Sequence, residues 1–356
     1  MISACMIVKN EEWIIGKTLP SLVKCLDEVV VVDTGSTDRT PDLARELGAK
    51  VSNFKWIDDF AAARNESLKQ ATGDWILWID ADEYLKEEDL LKLKEYLSKA
   101  EADSYQLELR ECKPGEFEFT NVYFRVKLFR NRKGFHFERP INEQVADGKG
   151  DFVGGKVIPE VAIYHWGSRV GAEKKQQKKQ RNIDLLRKAA ENNPGDPYYS
   201  YLLANNLKET GMNQEAVPAF LRTIELSPKG HLAAPSYAAL AWCYYRLRKG
   251  LEAFQSAKKA LELDQNLPDA YNLMGLILGG AGKYDEALSL LNTACSLEPA
   301  KGTSKNINMR QYRYTPNYYK GLVYEMAGDK DKAREAFIEA SKFEMTDEVR
   351  GKLNGR

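Results

Sequence analysis

Between residues 197 and 343 the chain repeats itself four times, and this repetition limits its architecture more than any other feature. Ala216, Ala253, Ala287 and Ala333 each open an amphipathic run: "EAVPAFLRTIELSP", "EAFQSAKKALELDQ", "EALSLLNTACSLEP" and "KAREAFIEASKFEM". The alanines lie 37, 34 and 46 residues apart, the longer intervals carrying extra residues around "SPKGHLAAP" and "AKGTSKNINMRQ". Ahead of each run stands a second helical pattern: "YLLANNLKETG", "YAALAWCYYRL", "YNLMGLILGGAG" and "YYKGLVYEMAG". A helix pair of this length cannot bury its apolar face alone, so successive pairs must stack to close a core.

A period of 34 residues is that of the tetratricopeptide repeat (TPR), and the resemblance to it covers about residues 197–343. Gly275 and Gly321 occupy the small position where two helices approach closely. The second half is therefore expected to be an all-α TPR solenoid of about four repeats over 196–345. A linker helix over 171–195 precedes it, and 346–356 form a C-terminal tail. In the linker, Ile183, Leu185, Leu186 and Ala189 face inward, and the basic run of "EKKQQKKQR" reads as a solvated helix face rather than a nucleic-acid site. Of the repeat residues, Tyr237, Tyr245, Tyr271 and Tyr324 are expected in packed positions. Asn205 and Trp242 are expected on the concave face.

Residues 1–170 follow a different grammar. "ISACMIV" (2–8) and "DEVVVVDT" (27–34) are continuous apolar runs rich in β-branched residues, as in parallel strands buried on both faces. Helical spacing separates them in "WIIGKTLPSLVKCL". After the second strand come a glycine-containing turn, a helix with Pro41 in its first turn and a stop at Gly48. "AKVSNF" is a short strand, "FAAARNESLKQATG" a helix, and "DWILWID" the next strand. This alternation predicts a doubly wound α/β sheet. "SYQLELRECK" and "NVYFRVKLFRN" alternate instead, which suggests added or antiparallel strands, and "IPEVAIYHWG" closes the domain.

The chemistry-bearing residues sit where strands end. "WILWIDADE" runs an apolar strand into Asp80, Asp82 and Glu83. In a βα fold the residues past a parallel strand's C-terminal end face the ligand crevice. Asp80 and Asp82 share one side if the strand geometry continues, and two such carboxylates suit a divalent cation. A capped turn is the alternative. Asp33 ends the second buried strand, where a carboxylate can accept hydrogen bonds from a ligand while the Thr34-Gly35-Ser36 turn lets backbone approach it. Arg64, on the helix after Phe60, is placed to contact a diphosphate, or else to form a surface ion pair.

In their order, "CMIVKNEE", "VVVDTGSTDRT" and "FAAARNESLKQATGDWILWIDADE" resemble the family 2 glycosyltransferases of GT-A fold. Within that family they look most like the TPR-bearing branch that includes the peptide S-glycosyltransferases of glycocin biosynthesis. The resemblance implies a nucleotide-sugar donor, UDP-linked before others, and a divalent metal cofactor, Mn2+ or Mg2+. It assigns Asp33 to the base, Asp80 to the ribose and metal side, and Asp82 to the metal that bridges the phosphates. His165, in "IYHWG", stands where the family carries a late metal-ligating histidine. The other two histidines show no ligand pattern: His136 is expected in a loop and His231 between repeats. An acceptor hydroxyl, thiol or amine must lose a proton during attack, so a carboxylate base is required. The closest candidate is Glu143, in "FHFERPINEQV"; relatives tend to carry His-Glu where this chain has Asn142-Glu143. The resemblance further implies inversion at the sugar, and an array that holds a peptide, protein or glycan acceptor or pairs two protomers.

Other readings fit less well. A nucleotidyltransferase would place a basic glycine-rich loop where "KNEEW" stands, and a haloacid dehalogenase phosphatase expects Thr or Val where Tyr84 stands. A non-catalytic TPR scaffold with an inactive glycosyltransferase-like domain would tolerate decay of the acidic residues, all of which are present. Lys plus Arg and Asp plus Glu both total 52, so no global field recruits nucleic acid or an anionic membrane. Five widely spaced cysteines without a CxxC pair suit reduced thiols. The N-terminus lacks a basic segment before its apolar run and reads as a strand rather than a signal peptide. With no stretch long enough to span a bilayer, the expected location is the cytoplasm.

Overall fold

The structure, a computed structural model, describes residues 1–167, 172–298 and 309–355. It divides into two compact units, one running from Met1 to Gln176 and a helical one beginning at Gln177.

The first unit runs β1 (Ile2–Val8), α1 (Glu12–Cys25), β2 (Glu28–Asp33), α2 (Thr40–Glu46), β3 (Lys50–Asn53), α3 (Phe60–Gln70) and β4 (Trp75–Trp78). It continues with β5 (Glu83–Tyr84), α4 (Glu87–Ser98), β6 (Ser104–Cys112), β7 (Phe119–Arg130), β8 (His136–Glu138), β9 (Gln144–Ala146) and β10 (Lys156–His165). One eight-stranded sheet has the order β3-β2-β1-β4-β7-β6-β10-β5, and β8 and β9 form a separate hairpin. Strands β1 to β4 are mutually parallel, β7 inserts antiparallel beside β4, and β10 lies parallel to β6.

The apolar runs explain the layering. Along β2, Val29 and Val31 enter one core while Val30 enters the other. Along β4, Trp75 and Leu77 join the first and Ile76 and Trp78 the second. Side chains alternate across a strand, so a strand with helices on both faces needs apolar residues at every position. Helices α1, α2 and α4 cover the first face through residues such as Leu19, Ala44 and Leu93. The second face is covered by α3 and by Phe137 and Val145 of the hairpin. Each fully buried valine contributes roughly 1.5–3 kcal/mol, enough to hold this four-residue run inside. Because β1 lies between β2 and β4, the chain reverses its winding there, and a crevice opens at the C-terminal ends of these strands.

His136, expected in a loop, opens β8. The reason is long-range: the Asn65 side chain donates to the Phe137 carbonyl at 2.8 Å and accepts from its N–H at 2.7 Å, acting as a surrogate strand edge.

The helical unit starts within α5 (Ala172–Asn192), whose Ile183, Leu185, Leu186 and Ala189 are buried. Four helix pairs follow. They are α6 (Pro197–Glu209) with α7 (Asn213–Leu226), α8 (Ala233–Arg246) with α9 (Gly250–Leu263), α10 (Pro268–Gly280) with α11 (Tyr284–Ser296), and α12 (Met309–Met326) with α13 (Lys330–Phe343); α14 (Asp347–Leu353) packs on α13. The four repeat alanines are buried in the second helix of each pair. Gly275 and Gly321 allow the close approach: a Cβ on Gly275 would stand 2.7 Å from Leu291, and one on Gly321 would strike Phe337. Tyr237, Tyr245, Tyr271 and Tyr324 are half-buried rather than fully interior. Their hydroxyls need polar surroundings, so the rings pack at the margin of the core. Among the described residues no helix is long and apolar enough to cross a membrane.

Candidate active site

The crevice is walled by loops that tie neighbouring strands together. After β1, the Asn10 N–H donates to Ser36 Oγ and its side-chain oxygen accepts from the Thr37 N–H. After β2, buried Asp33 accepts from the N–H groups of Gly35 and Ser36 at 3.1–3.2 Å. Gly35 has φ +103, a backbone state that a side chain disfavours. Asp38, two residues before Thr40, accepts from the N–H groups of Thr40 and Glu12. Asp33 and Asp38 therefore both cap turns, and Asp33 does so at the mouth of the crevice.

Strand β4 ends at Trp78, and the Glu83 N–H bonds the Asp80 carbonyl at 3.0 Å. The chain thus turns at Asp80–Glu83 rather than continuing as a strand, so strand alternation does not set the sides of Asp80 and Asp82. Asp80 Oδ1 accepts from Arg64 at 2.6 Å, whereas Asp82 Oδ2 lies 3.4 Å from His165 Nε2.

Arg64 is a buried bridge rather than a surface residue. Its Nε donates to Glu143 Oε1 at 2.6 Å while its terminal nitrogen holds Asp80, and its guanidinium stacks 4.4 Å from the Trp78 ring centroid. Burial alone would lower the Arg64 pKa; the charges of Asp80 and Glu143 outweigh it and keep the guanidinium charged. Burial would likewise raise Asp80, but Arg64 and then Lys127 hold it well below the ordinary carboxylate range. Glu143 thus reaches the site across 79 residues of sequence, carried by the hairpin that Asn65 grips.

His165 arrives through the far end of the sheet. β10 pairs antiparallel with the two-residue β5, setting His165 opposite Glu83, and the Trp166 N–H donates to the Asp82 carbonyl at 2.7 Å. Trp166 stacks on Tyr84 with centroids 4.6 Å apart. Burial lowers the imidazole's pKa, yet the Asp82 contact prevails and pushes it up to about 9. Gly167 completes this corner: a Cβ there would overlap Asp82 Oδ2 and lie 2.8 Å from His165 Nε2. The glycine lets the backbone pack directly against one carboxylate and one imidazole, two groups whose chemistry can ligate a cation. Among the described residues no three His, Cys, Asp or Glu side chains converge as a ligand set; Asp80 is directed to Arg64.

Sequence reasoning missed the support beneath these groups. Lys127 is fully buried, donates to Glu83 at 2.7 Å and lies 3.4 Å from the Trp78 ring centroid. Glu83 also accepts from the Asp80 N–H at 2.9 Å. Burial pushes Glu83 up and Lys127 down, and each partner's charge opposes its shift. The available signal was one lysine between the apolar residues of "VKLF", at an inward position of β7.

Residues 3–156 match the family model described as glycosyl transferase family 2, and residues 256–289 match the tetratricopeptide repeat. The chain carries a family 2 glycosyltransferase domain at its N-terminus and tetratricopeptide repeats after it. A TPR repeat-containing protein of Synechococcus elongatus is 42% identical over 146 residues, 41% of this chain and 36% of that protein. An uncharacterized glycosyltransferase of Rickettsia felis is 32% identical over 178 residues, covering 46% and 62%. The SPbeta prophage-derived glycosyltransferase SunS of Bacillus subtilis is 25% identical over 229 residues, covering 63% and 53%. The chain spans less than two thirds of the length of each of these relatives.

Proposed function

We propose that the chain transfers a sugar from a nucleoside-diphosphate donor, UDP-linked before others, to an acceptor held by its repeats. The observation that carries this reading is the corner of Asp82, His165 and Gly167 at the strand ends, next to the Arg64 bridge, inside a family 2 domain. In this role Asp82 and His165 hold Mn2+ or Mg2+, with Asp80 on its ribose side and Asp33 beside the base. The ion supplies Lewis-acid stabilisation of the charge left on the departing diphosphate. Glu143 takes the acceptor proton on Oε2, because Oε1 is committed to Arg64. Arg64, holding Asp80 and Glu143 at once, keeps the donor and acceptor sides in register.

A thermal-shift panel of nucleoside diphosphates with and without manganese tests the proposal. The expected result is a uridine-selective shift that requires metal and disappears in Asp82→Asn. Metal-independent shifts, or none with any nucleotide, would favour a scaffold with an inactive domain.

A further inference from the structure

The turn that carries Asp80 and Asp82 is tied down by several different parts of the fold. Just ahead of it, the Ile79 N–H donates to the Cys5 carbonyl of β1 at 3.0 Å. The Ala81 carbonyl accepts from the fully buried Thr18 hydroxyl of α1 at 2.7 Å. The Asp82 carbonyl accepts from the Trp166 N–H, just past β10, at 2.7 Å. Asp80 is held twice on its backbone: its carbonyl accepts from the Glu83 N–H, and its N–H donates to Glu83 Oε2 at 2.9 Å. That same oxygen accepts from Lys127 Nζ at 2.7 Å. One buried lysine on β7 therefore fixes the carboxylate that closes the turn.

Sheet register places that lysine. Leu77 of β4 pairs with Leu128 of β7, so the next step along the two antiparallel strands brings Lys127 beside Trp78. Its ammonium lies 3.4 Å from the Trp78 ring centroid, and the Arg64 guanidinium lies 4.4 Å from the same ring. One indole thus carries both cations that hold Asp80. Arg64 takes its side chain at 2.6 Å, and Lys127, through Glu83, holds its backbone. The indole is itself anchored, donating from Nε1 to the Val126 carbonyl at 2.6 Å. Stability alone does not call for a charge at position 127. Replacing a buried ion pair with apolar side chains of similar volume is often neutral or stabilising, and Val126, Leu128 and Phe129 around it are apolar. What an apolar residue cannot do is hold the Glu83 carboxylate against the Asp80 N–H.

We propose that Lys127 and Glu83 are positioning residues for the donor: they lock the Asp80–Glu83 turn so that Asp80 and Asp82 meet a metal–diphosphate group in one preset arrangement. This rests on the reading of the crevice as the donor site, and it adds two residues that act from behind the carboxylates. Losing a group that orients metal-binding side chains in this way costs roughly tenfold to a hundredfold in metal affinity.

The test uses the full chain and three measurements: calorimetric binding of UDP with Mn2+, urea unfolding, and hydrogen exchange of the Ile79–Leu85 segment without ligand. Lys127→Met should weaken Mn2+-dependent UDP binding about tenfold or more and speed exchange in that segment. Two double variants separate positioning from packing. In Lys127→Met with Glu83→Gln, a neutral side-chain oxygen still faces the Asp80 N–H, so affinity and exchange protection should return towards wild type. In Lys127→Met with Glu83→Met no acceptor remains. Binding should then stay weak and exchange fast, although urea stability is near that of the wild type. Wild-type affinity in Lys127→Met or in the second double variant would overturn the proposal and leave the pair a matter of packing. Affinity as weak in the first double variant as in Lys127→Met would overturn it as well, because restoring the acceptor would have restored nothing. Absence of UDP binding by the wild-type protein would instead overturn the donor reading itself, and the proposal with it.

Discussion

Replacing Arg64 with Met removes the charge that joins Asp80 to Glu143 while keeping most of the apolar stem over Trp78. Each lost bond is charge-assisted, worth roughly 1.5–3 kcal/mol. The Arg64 and Glu143 side chains are 7% and 12% exposed, so that bond counts nearly in full; Asp80 is 36% exposed and solvent screens its share. The expected loss is about 3–4 kcal/mol at pH 7, within the range for breaking one side of a buried ion pair. In a unit of this size that lowers the melting temperature by roughly 10 °C. Urea unfolding followed by tryptophan fluorescence is a suitable assay, because Trp13, Trp56, Trp75, Trp78 and Trp166 all lie in the N-terminal unit and only Trp242 lies outside it. The pH dependence provides a second check. The native pKa of Asp80 is depressed, so its stabilising effect is present above the unfolded value of about 3.9 and is lost as pH falls through the native value. Without Arg64, burial is less opposed and Asp80 protonates more readily. The difference between wild type and variant should therefore be greatest near pH 7 and shrink below about pH 4. A loss under about 1 kcal/mol, or one equal at pH 7 and pH 3.5, would refute the picture of a buried bridge.

Gly167→Ala should force Asp82 and His165 apart, costing about 1–3 kcal/mol of stability and weakening manganese binding tenfold or more; calorimetry that finds unchanged affinity would remove the corner as a cation site. Because Asp82 pushes His165 up to about 9, a metal must displace its proton, so manganese affinity should climb about tenfold per pH unit from 7 towards 9, and a flat profile would return His165 to a structural role. In the metal-free protein the stabilisation from that pair is complete below about pH 6.5 and is lost as pH rises through about 9; urea titrations at pH 6 and 10 measure it, with His165→Gln as the reference. Burial raises Asp269, so its ionisation opposes folding once pH exceeds the unfolded value of about 3.9; Asp269→Asn should melt higher than wild type at pH 7, with the gap closing below pH 4.

Much of this protein can be read directly from its residues because the signals are local. The run Val29–Val32 can only be a strand covered on both sides, and alanines at matching places in successive repeats report helices that must stack. Asp33, Asp80 and Asp82 stand out in the sequence because each ends or follows an apolar strand. Other features depend on partners that no local pattern specifies. Asp80 and Asp82 would share one side if the strand continued, but the chain turns there, and the partners they meet, Arg64 for Asp80 and His165 for Asp82, come from distant segments. Lys127 reads as an ordinary strand lysine until β7 inserts beside β4 and sets its charge against Glu83 and the Trp78 ring. Gly167 is one glycine among 25 in the sequence, and its importance is visible only once β10 meets β5 and leaves no room for a Cβ. Local sequence determines which segments are strands and helices, because backbone geometry and side-chain periodicity act over a few residues. Which carboxylate meets which cation depends on strand order and turn direction, and only the assembled sheet decides those.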